Sequence, residues 1–441
     1  MRILEWNRLD AGQRRAALSR PQGGGAAADA VRVAREVIEA VRREGDAALV
    51  SLTRRFDGIE LGTLAVPEEE FAEAGTALSD EERAALERAI ANVRAFHGAQ
   101  LPAPLALETE PGVRCEQLVR PIESVGLYVP AGSAPLPSAV IMLAVPAAMA
   151  GCPRRVLCTP PARTGRAHPA ILLAAQLCGI DTVFKVGGAQ AIAALAYGTA
   201  SVPRVDKIFG PGNAWVTAAK QLVAQDPDGA ACDLPAGPSE VLVIADESAR
   251  ADFVAADLLA QAEHDALAQA ILITPSAGLA RRVEEEIAAC LPQLTRRAVL
   301  GQSLSSCRCI LVPDLRTAFD IANAYAPEHL LLQVEEPRRW LTEIRHAGAV
   351  FLGPWSPEPL GDYCTGANHV LPTYGYARSM SGLSVRDFLK VITVQELTRS
   401  GLHALGPTAA TLARLEGLDA HALAVARRLG ARPAEPREVA P

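Results

Sequence analysis

Lysine is nearly missing from this 441-residue chain. It stands only at positions 185, 207, 220 and 390, although Lys and Arg together number 43. The bias toward Arg reads as the base composition of a GC-rich genome, not as a functional signal. Positive charge is also outnumbered, with 50 Asp and Glu and a net charge of −7. That balance argues against nucleic acid or an anionic membrane as the main partner. No CxxC pair occurs among the nine cysteines, so the simple expectation is a reduced cytoplasmic protein with buried thiols. No apolar core interrupts the charges of Met1 to Arg20, so a signal peptide is not expected. The apolar run from Ala139 to Ala150 contains Pro146 and is too short to cross a bilayer; it reads as a buried helix. A GxGxxG string is absent too, and with it the usual dinucleotide fingerprint.

What is present is a long α/β pattern. The length calls for two to four domains, and a hydrophobic share of 49% is ordinary for a globular protein. After a polar, Arg-rich start comes Gly23-Gly24-Gly25, a flexible break. Apolar residues then recur at helical spacing from Asp29, a plausible N-cap, to Val50. A second helix is expected from Asp80 to Phe96, opened by the capping box Ser79-Asp-Glu-Glu82. From Val125 short strands alternate with helices. The strands lie at 125–129, 156–158, 183–186 and 208–209, and the helices at 138–150, 169–178, 189–196 and 214–223. A second series of strands follows at 241–244, 270–273, 309–312, 330–334 and 349–352. Such repetition implies parallel sheets, hence two doubly wound α/β domains. After about Ser384 only short helices are expected, and the last dozen residues, rich in Pro, Arg and Glu, read as disordered.

Four short segments carry the chemistry: Gln261-Ala-Glu-His264, Pro327-Glu-His-Leu330, Gly361-Asp-Tyr363 and Asp419-Ala-His421. Gln261 and His264 are three apart on an expected helix and so share a face. Two imidazoles and a carboxylate are the usual ligands of a zinc site with a position left open for substrate. The pair Glu328-His329 offers bases beside such an ion, at a junction between a helical stretch and a strand. Two glycine-rich loops, Val186-Gly-Gly-Ala-Gln190 and Gly210-Pro-Gly-Asn213, each follow a strand and precede a helix, where free amides can hold a pyrophosphate; tight turns alone also call for such glycines. A rival chemistry would use a thiol nucleophile at Cys152 or Cys158, but both lie in or beside an apolar stretch that suits inert thiols.

Over nearly its whole length the chain resembles the histidinol dehydrogenase family. The strings that carry the resemblance are Val125-Gly-Leu-Tyr-Val-Pro130, Val186-Gly-Gly-Ala-Gln190, Phe209-Gly-Pro-Gly-Asn213, Leu234-Pro-Ala-Gly-Pro-Ser239, Ala326-Pro-Glu-His-Leu330, Asn368-His-Val-Leu-Pro-Thr373 and Leu418-Asp-Ala-His421. The resemblance implies Zn²⁺ bound by Gln261, His264, Asp362 and His421. It implies Glu328 and His329 as catalytic bases and NAD⁺ held by Tyr128, Gln190 and Asn213. Ser239, His369 and Glu416 would touch the substrate together with Gln261, His264, His329, Asp362 and His421. The implied fold is two incomplete Rossmann-like parallel-sheet domains with small helical terminal segments. Residues 22–127 and 241–383 would form the first domain, 128–240 an inserted NAD-binding domain, and 1–21 and 384–441 segments that cross to the partner of a homodimer.

The implied reaction is oxidation of L-histidinol to L-histidine through bound L-histidinaldehyde with two NAD⁺. Two alternatives stay open at this stage. One is a related zinc and NAD alcohol dehydrogenase acting on another polyol or a sulfonated diol. The other is a zinc-dependent binding protein without turnover.

Overall fold

A computed structural model describes residues 1–21, 26–131, 134–235 and 237–430. The triple glycine, Ala236 and the chain end from 431 lie outside the described residues. The chain divides into two compact units, one formed by 1–100 and 122–388 and the other by 101–121 and 389 onward.

The first unit contains two parallel sheets of the same winding. One has five strands: Ser124–Tyr128, Arg154–Cys158, Val183–Phe184, Lys207–Phe209 and Ala231–Cys232. Numbered along the chain, they lie side by side in the order 3-2-1-4-5. The other contains Glu240–Ala245, Gln269–Thr274, Arg308–Leu311, His329–Gln333 and Ala349–Leu352 in that same order. An additional edge strand, Arg2–Glu5, pairs in parallel with Arg308–Leu311. In both sheets the winding reverses between the first and fourth strands, which is where doubly wound folds leave a crevice. Along Glu240–Ala245 alternate residues enter two different cores: Val241, Val243 and Ala245 on one face, Leu242 and Ile244 on the other. A strand covered on both faces cannot alternate apolar with polar residues, which explains the unbroken apolar run.

The strands of both expected series are present within a residue or two, and Ser79 and Glu82 form the expected reciprocal cap. Pro137–Ala150 is a buried helix. Asp29 lies within a helix, not at its start: Ala26–Glu44 is followed by a separate helix, Asp46–Asp57, with the break at Gly45, whose φ is +58°. A left-handed backbone favours glycine there and ends the helical run.

Packing draws the domain boundaries differently from the expected layout. The helix Ala26–Glu44 packs on Gly188–Tyr197 and Ala214–Gln225. Its Ala30, Ala34, Val37 and Val41 join Ile192, Val216 and Val223 in one core. Residues 26–64 therefore go with the five-stranded sheet rather than with 241–383. The first residues are not a terminal helical appendage either, since Arg2–Glu5 extends the six-stranded sheet.

The second unit holds an antiparallel sheet in which Val113–Pro121 lies between Leu105–Glu110 and Leu389–Leu397. Helices Arg399–Leu415 and Asp419–Arg428 follow. Strands therefore do not vanish after Ser384. Leu389–Leu397 is nine residues long and exposed on both faces, so burial leaves no clear period-two signature in its sequence.

Candidate active site

The site lies at the amino-terminal edge of the six-stranded sheet. His329 opens the fourth strand and Glu240 the first, so they are neighbours where the winding reverses. Doubly wound folds more often use the carboxyl edge. Here the helix Ala251–Ala262 runs back toward the amino edge and delivers Gln261 and then His264, just beyond its end, to the same place. The short helix Glu358–Tyr363 supplies Glu358 and Asp362, four residues apart and so on one face.

His264, Glu358 and Asp362 each offer a ligand atom, and these atoms lie within 4.8 Å of one another. One end of the Gln261 amide is 3.3 Å from His264 Nδ1. The amide orientation that satisfies its surroundings has Nε2 donating to the Glu358 carboxylate at 2.5 and 3.1 Å. That turns the amide oxygen toward His264. The resemblance implied Gln261, His264 and Asp362 as ligands, and the structure brings these three together. It adds Glu358, which the motifs missed. The available signal was its place four residues before Asp362 behind a helix-starting Pro357. His421 and Glu416 are exposed on the second unit, near its last two helices.

His329 is buried, with Nδ1 3.1 Å from the main-chain carbonyl of Glu240. A carbonyl only accepts, so Nδ1 carries the proton and Nε2 is left for chemistry. Nε2 lies 3.4 Å from Asp362 Oδ1, with no hydrogen-bond partner of its own among the described residues. Burial works against the imidazolium, but Glu358, Glu328 and Asp362 outweigh it and raise the His329 pKa well above the ordinary value. Burial pushes Glu328 up to about 8 and Glu358 likewise to about 8. Asp362 is held below its ordinary value, because the adjacent His329 outweighs the effect of burial. His369 donates from Nδ1 to the carbonyl of Asp362 at 2.7 Å, and its pKa is lowered by burial. A cavity of about 760 Å³ reaches His329, Asp362 and His369. Ser239 immediately precedes the strand that Glu240 opens.

This donor set fits a divalent cation. Among the described residues no Lys or Arg pairs with Glu328, Glu358 or Asp362. Clustered carboxyls without a cationic side chain are costly unless protonated or metal-bound.

The three expected NAD contacts gather at the carboxyl edge of the five-stranded sheet. Tyr128 ends the first strand. Gln190 and Asn213 sit in the first turn or at the cap of the helices that follow the third and fourth strands. Tyr128 is buried, and its hydroxyl accepts the Gly188 N–H at 3.1 Å. Asn213 caps its helix by accepting from the Val216 N–H at 3.2 Å. Gly210 has φ +130°, and a Cβ there would fall 2.0 Å from the Tyr128 carbonyl. Only glycine lets the two loops approach across the reversal of winding. Two helix starts opening on one crevice fit a pyrophosphate.

A family model for histidinol dehydrogenase matches residues 22–429. The chain belongs to the histidinol dehydrogenase family. It is 54% identical over 433 residues to the histidinol dehydrogenase of Xylella fastidiosa strain Temecula1, covering 98% of this chain and 100% of that one. It is 53% identical to that of Vibrio vulnificus, covering 97% and 98%. A crystal structure of histidinol dehydrogenase from Elizabethkingia anophelis superposes with a TM-score of 0.92 at 42% identity, covering 98% of each chain.

Cys152 and Cys158 do not supply the rival chemistry. All nine are free thiols. Burial pushes Cys152 up to about 11 and Cys158 higher still, which removes the thiolate that a nucleophile needs.

Proposed function

We propose that this protein oxidises L-histidinol to L-histidine through bound L-histidinaldehyde, passing two hydrides in turn to two NAD⁺. Family membership over residues 22–429 supports the substrate and the reaction class. The observation that carries the chemistry is His329, whose Nδ1 is fixed by a carbonyl while Nε2 stands open beside Asp362.

In this reading His329 Nε2 takes the hydroxyl proton as hydride leaves the carbinol carbon. The aldehyde stays bound. Ionised Glu328, a buried carboxylate, takes a proton from water as that water adds to the carbonyl, while protonated His329 returns its proton to the carbonyl oxygen, so that the gem-diol forms and His329 is neutral again. His329 then accepts a second hydroxyl proton as the second hydride leaves, giving the acid. Zinc bound by Gln261, His264, Asp362 and, from a partner copy, His421 would orient the amine and imidazole of the substrate and offset the acidic charge around His329. Ser239, His369 and Glu416 complete the contacts to substrate. Tyr128, Gln190 and Asn213 line the dinucleotide site, where fixed geometry converts an encounter into an oriented reaction.

A homodimer with shared sites accounts for the placement of His421 and Glu416 on the second unit. That unit exposes Leu107, Val391, Leu412 and Leu415, with 58%, 54%, 55% and 78% of their surface accessible. In such a dimer these side chains are available to be covered by the partner copy. No helix among the described residues is long and apolar enough to cross a membrane, and we place the protein in the cytoplasm.

The test is NADH formation with histidinol against a panel of alcohols, counting NADH per substrate. Two NADH per histidinol and little from the other alcohols are expected. One NADH per substrate, or equal rates on unrelated diols, would refute the assignment.

A further inference from the structure

The Glu328–His329 pair is held through a residue that takes no part in the chemistry. The Glu240 N–H donates to Glu328 Oε2 at 2.8 Å, and the Glu240 carbonyl accepts from His329 Nδ1 at 3.1 Å. One peptide segment thus fixes the carboxylate and sets the tautomer of the imidazole. The main chain of Glu240 is anchored by its own buried carboxylate. Arg20 grips that carboxylate with both arms of its guanidinium, at 2.5 and 2.8 Å, and the Tyr374 N–H adds a bond at 2.9 Å. Arg20 reaches the other side of the pair as well. It stacks 4.0 Å from the centre of the Tyr325 ring and donates to the carbonyls of Tyr325 and Ala326. Ala326 has φ +56°, an uncommon backbone for alanine, just before Pro327-Glu328. A single guanidinium therefore ties the residue that orients the pair to the strained turn that delivers it.

We propose that Arg20 is a positioning residue for the acid–base pair, acting through Glu240 and the 325–326 turn. The inference rests on the reading of Glu328 and His329 as the bases. Among the described residues no other Lys or Arg pairs with Glu240. Without Arg20 a buried carboxylate loses its cation and must protonate or move. Either response shifts the peptide that both bases lean on. A flexible ammonium cannot reproduce a two-armed, stacked grip.

The test compares wild type, Arg20→Met, Arg20→Lys, Arg20→Ala and Glu240→Gln. Histidinol and histidinaldehyde are assayed separately, and metal content is measured on each protein. A displacement near one ångström at a catalytic group costs about a hundredfold, so kcat in Arg20→Met should fall about 10- to 100-fold on both substrates. KM for histidinol and NAD⁺ should stay within about threefold and bound metal should be unchanged, because uniform binding is not what is lost. Arg20→Lys should recover little, whereas guanidinium added to Arg20→Ala should recover activity. If Arg20→Met does not fold, Glu240→Gln carries the same expectation. A kcat near wild type, or a loss confined to KM or tracking metal content, would overturn the proposal. Crystal structures form an arm independent of turnover: Glu328 and His329 should shift by more than about 0.5 Å in the variant, the tolerance of a working site. If wild type does not oxidise histidinol, the functional reading fails. The crystals still decide whether Arg20 holds the pair, and an unmoved pair refutes it.

Discussion

Asp257 lies one turn before Gln261 on the same helix, only 4% exposed, with the Gln333 amide 3.4 Å from its carboxylate. Burial pushes its pKa up to about 7 from 3.8. An acid whose folded pKa is raised binds more protons folded than unfolded. Stability therefore falls as pH rises through the gap between the two values. Below the unfolded value the group costs nothing, and above the folded value the full cost is present. At about 1.4 kcal/mol per pH step, the gap amounts to about 4 kcal/mol above pH 7 and under 2 kcal/mol at pH 5. Asp257→Asn keeps the shape and removes the ionisation. Its stability relative to wild type should improve by about 2 to 3 kcal/mol between pH 5 and pH 8. Urea unfolding at both pH values, at one chain concentration so that assembly does not intrude, measures this difference. A difference that does not change with pH, or that moves against the variant as pH rises, would refute the reasoning.

Three further outcomes are expected. His329→Asn should slow both oxidations by roughly 10²- to 10⁴-fold, as for a lost general base, whereas Glu328→Gln should mainly slow the aldehyde half; equal losses on histidinol and histidinaldehyde in the Glu328 variant would break the division of labour. Gly210→Ala places a Cβ against the Tyr128 carbonyl and should raise KM for NAD⁺ by about tenfold or more while changing KM for histidinol less; the reverse pattern in initial-rate measurements would remove that loop from the dinucleotide site. His264→Ala and His421→Ala proteins, each nearly inactive, should regain roughly a quarter of wild-type activity when unfolded and refolded together, since half of randomly paired dimers are mixed and each has one intact site; no recovery with mixed dimers confirmed by mass would mean that His421 does not complete a partner's site.

Much of the fold was legible in the sequence because its strands are buried on both faces. Runs such as Val241–Ile244 and Ala270–Ile273 are short, apolar and separated by helical periods, which only a parallel sheet between helix layers produces. The exposed strand Leu389–Leu397 lacks that imprint, and the break at Gly45 hides within continuous helical periodicity. Gln261 with His264 and the Glu328-His329 pair were legible because each lies in a short local string, but the roles proposed for them came from the resemblance and not from spacing. Glu358, Asp257 and the Arg20–Glu240 grip were not. Arg20 and Glu240 are 220 residues apart, and each reads alone as an ordinary surface charge. Sequence by itself determined two wound sheets and the chemical types gathered in the site. Tertiary structure alone decided which edge of the sheet carries that site and which buried charges contact the peptide beside Glu328 and His329. Burial and pairing over long separations depend on how helices pack across the sheet, and no local pattern encodes that.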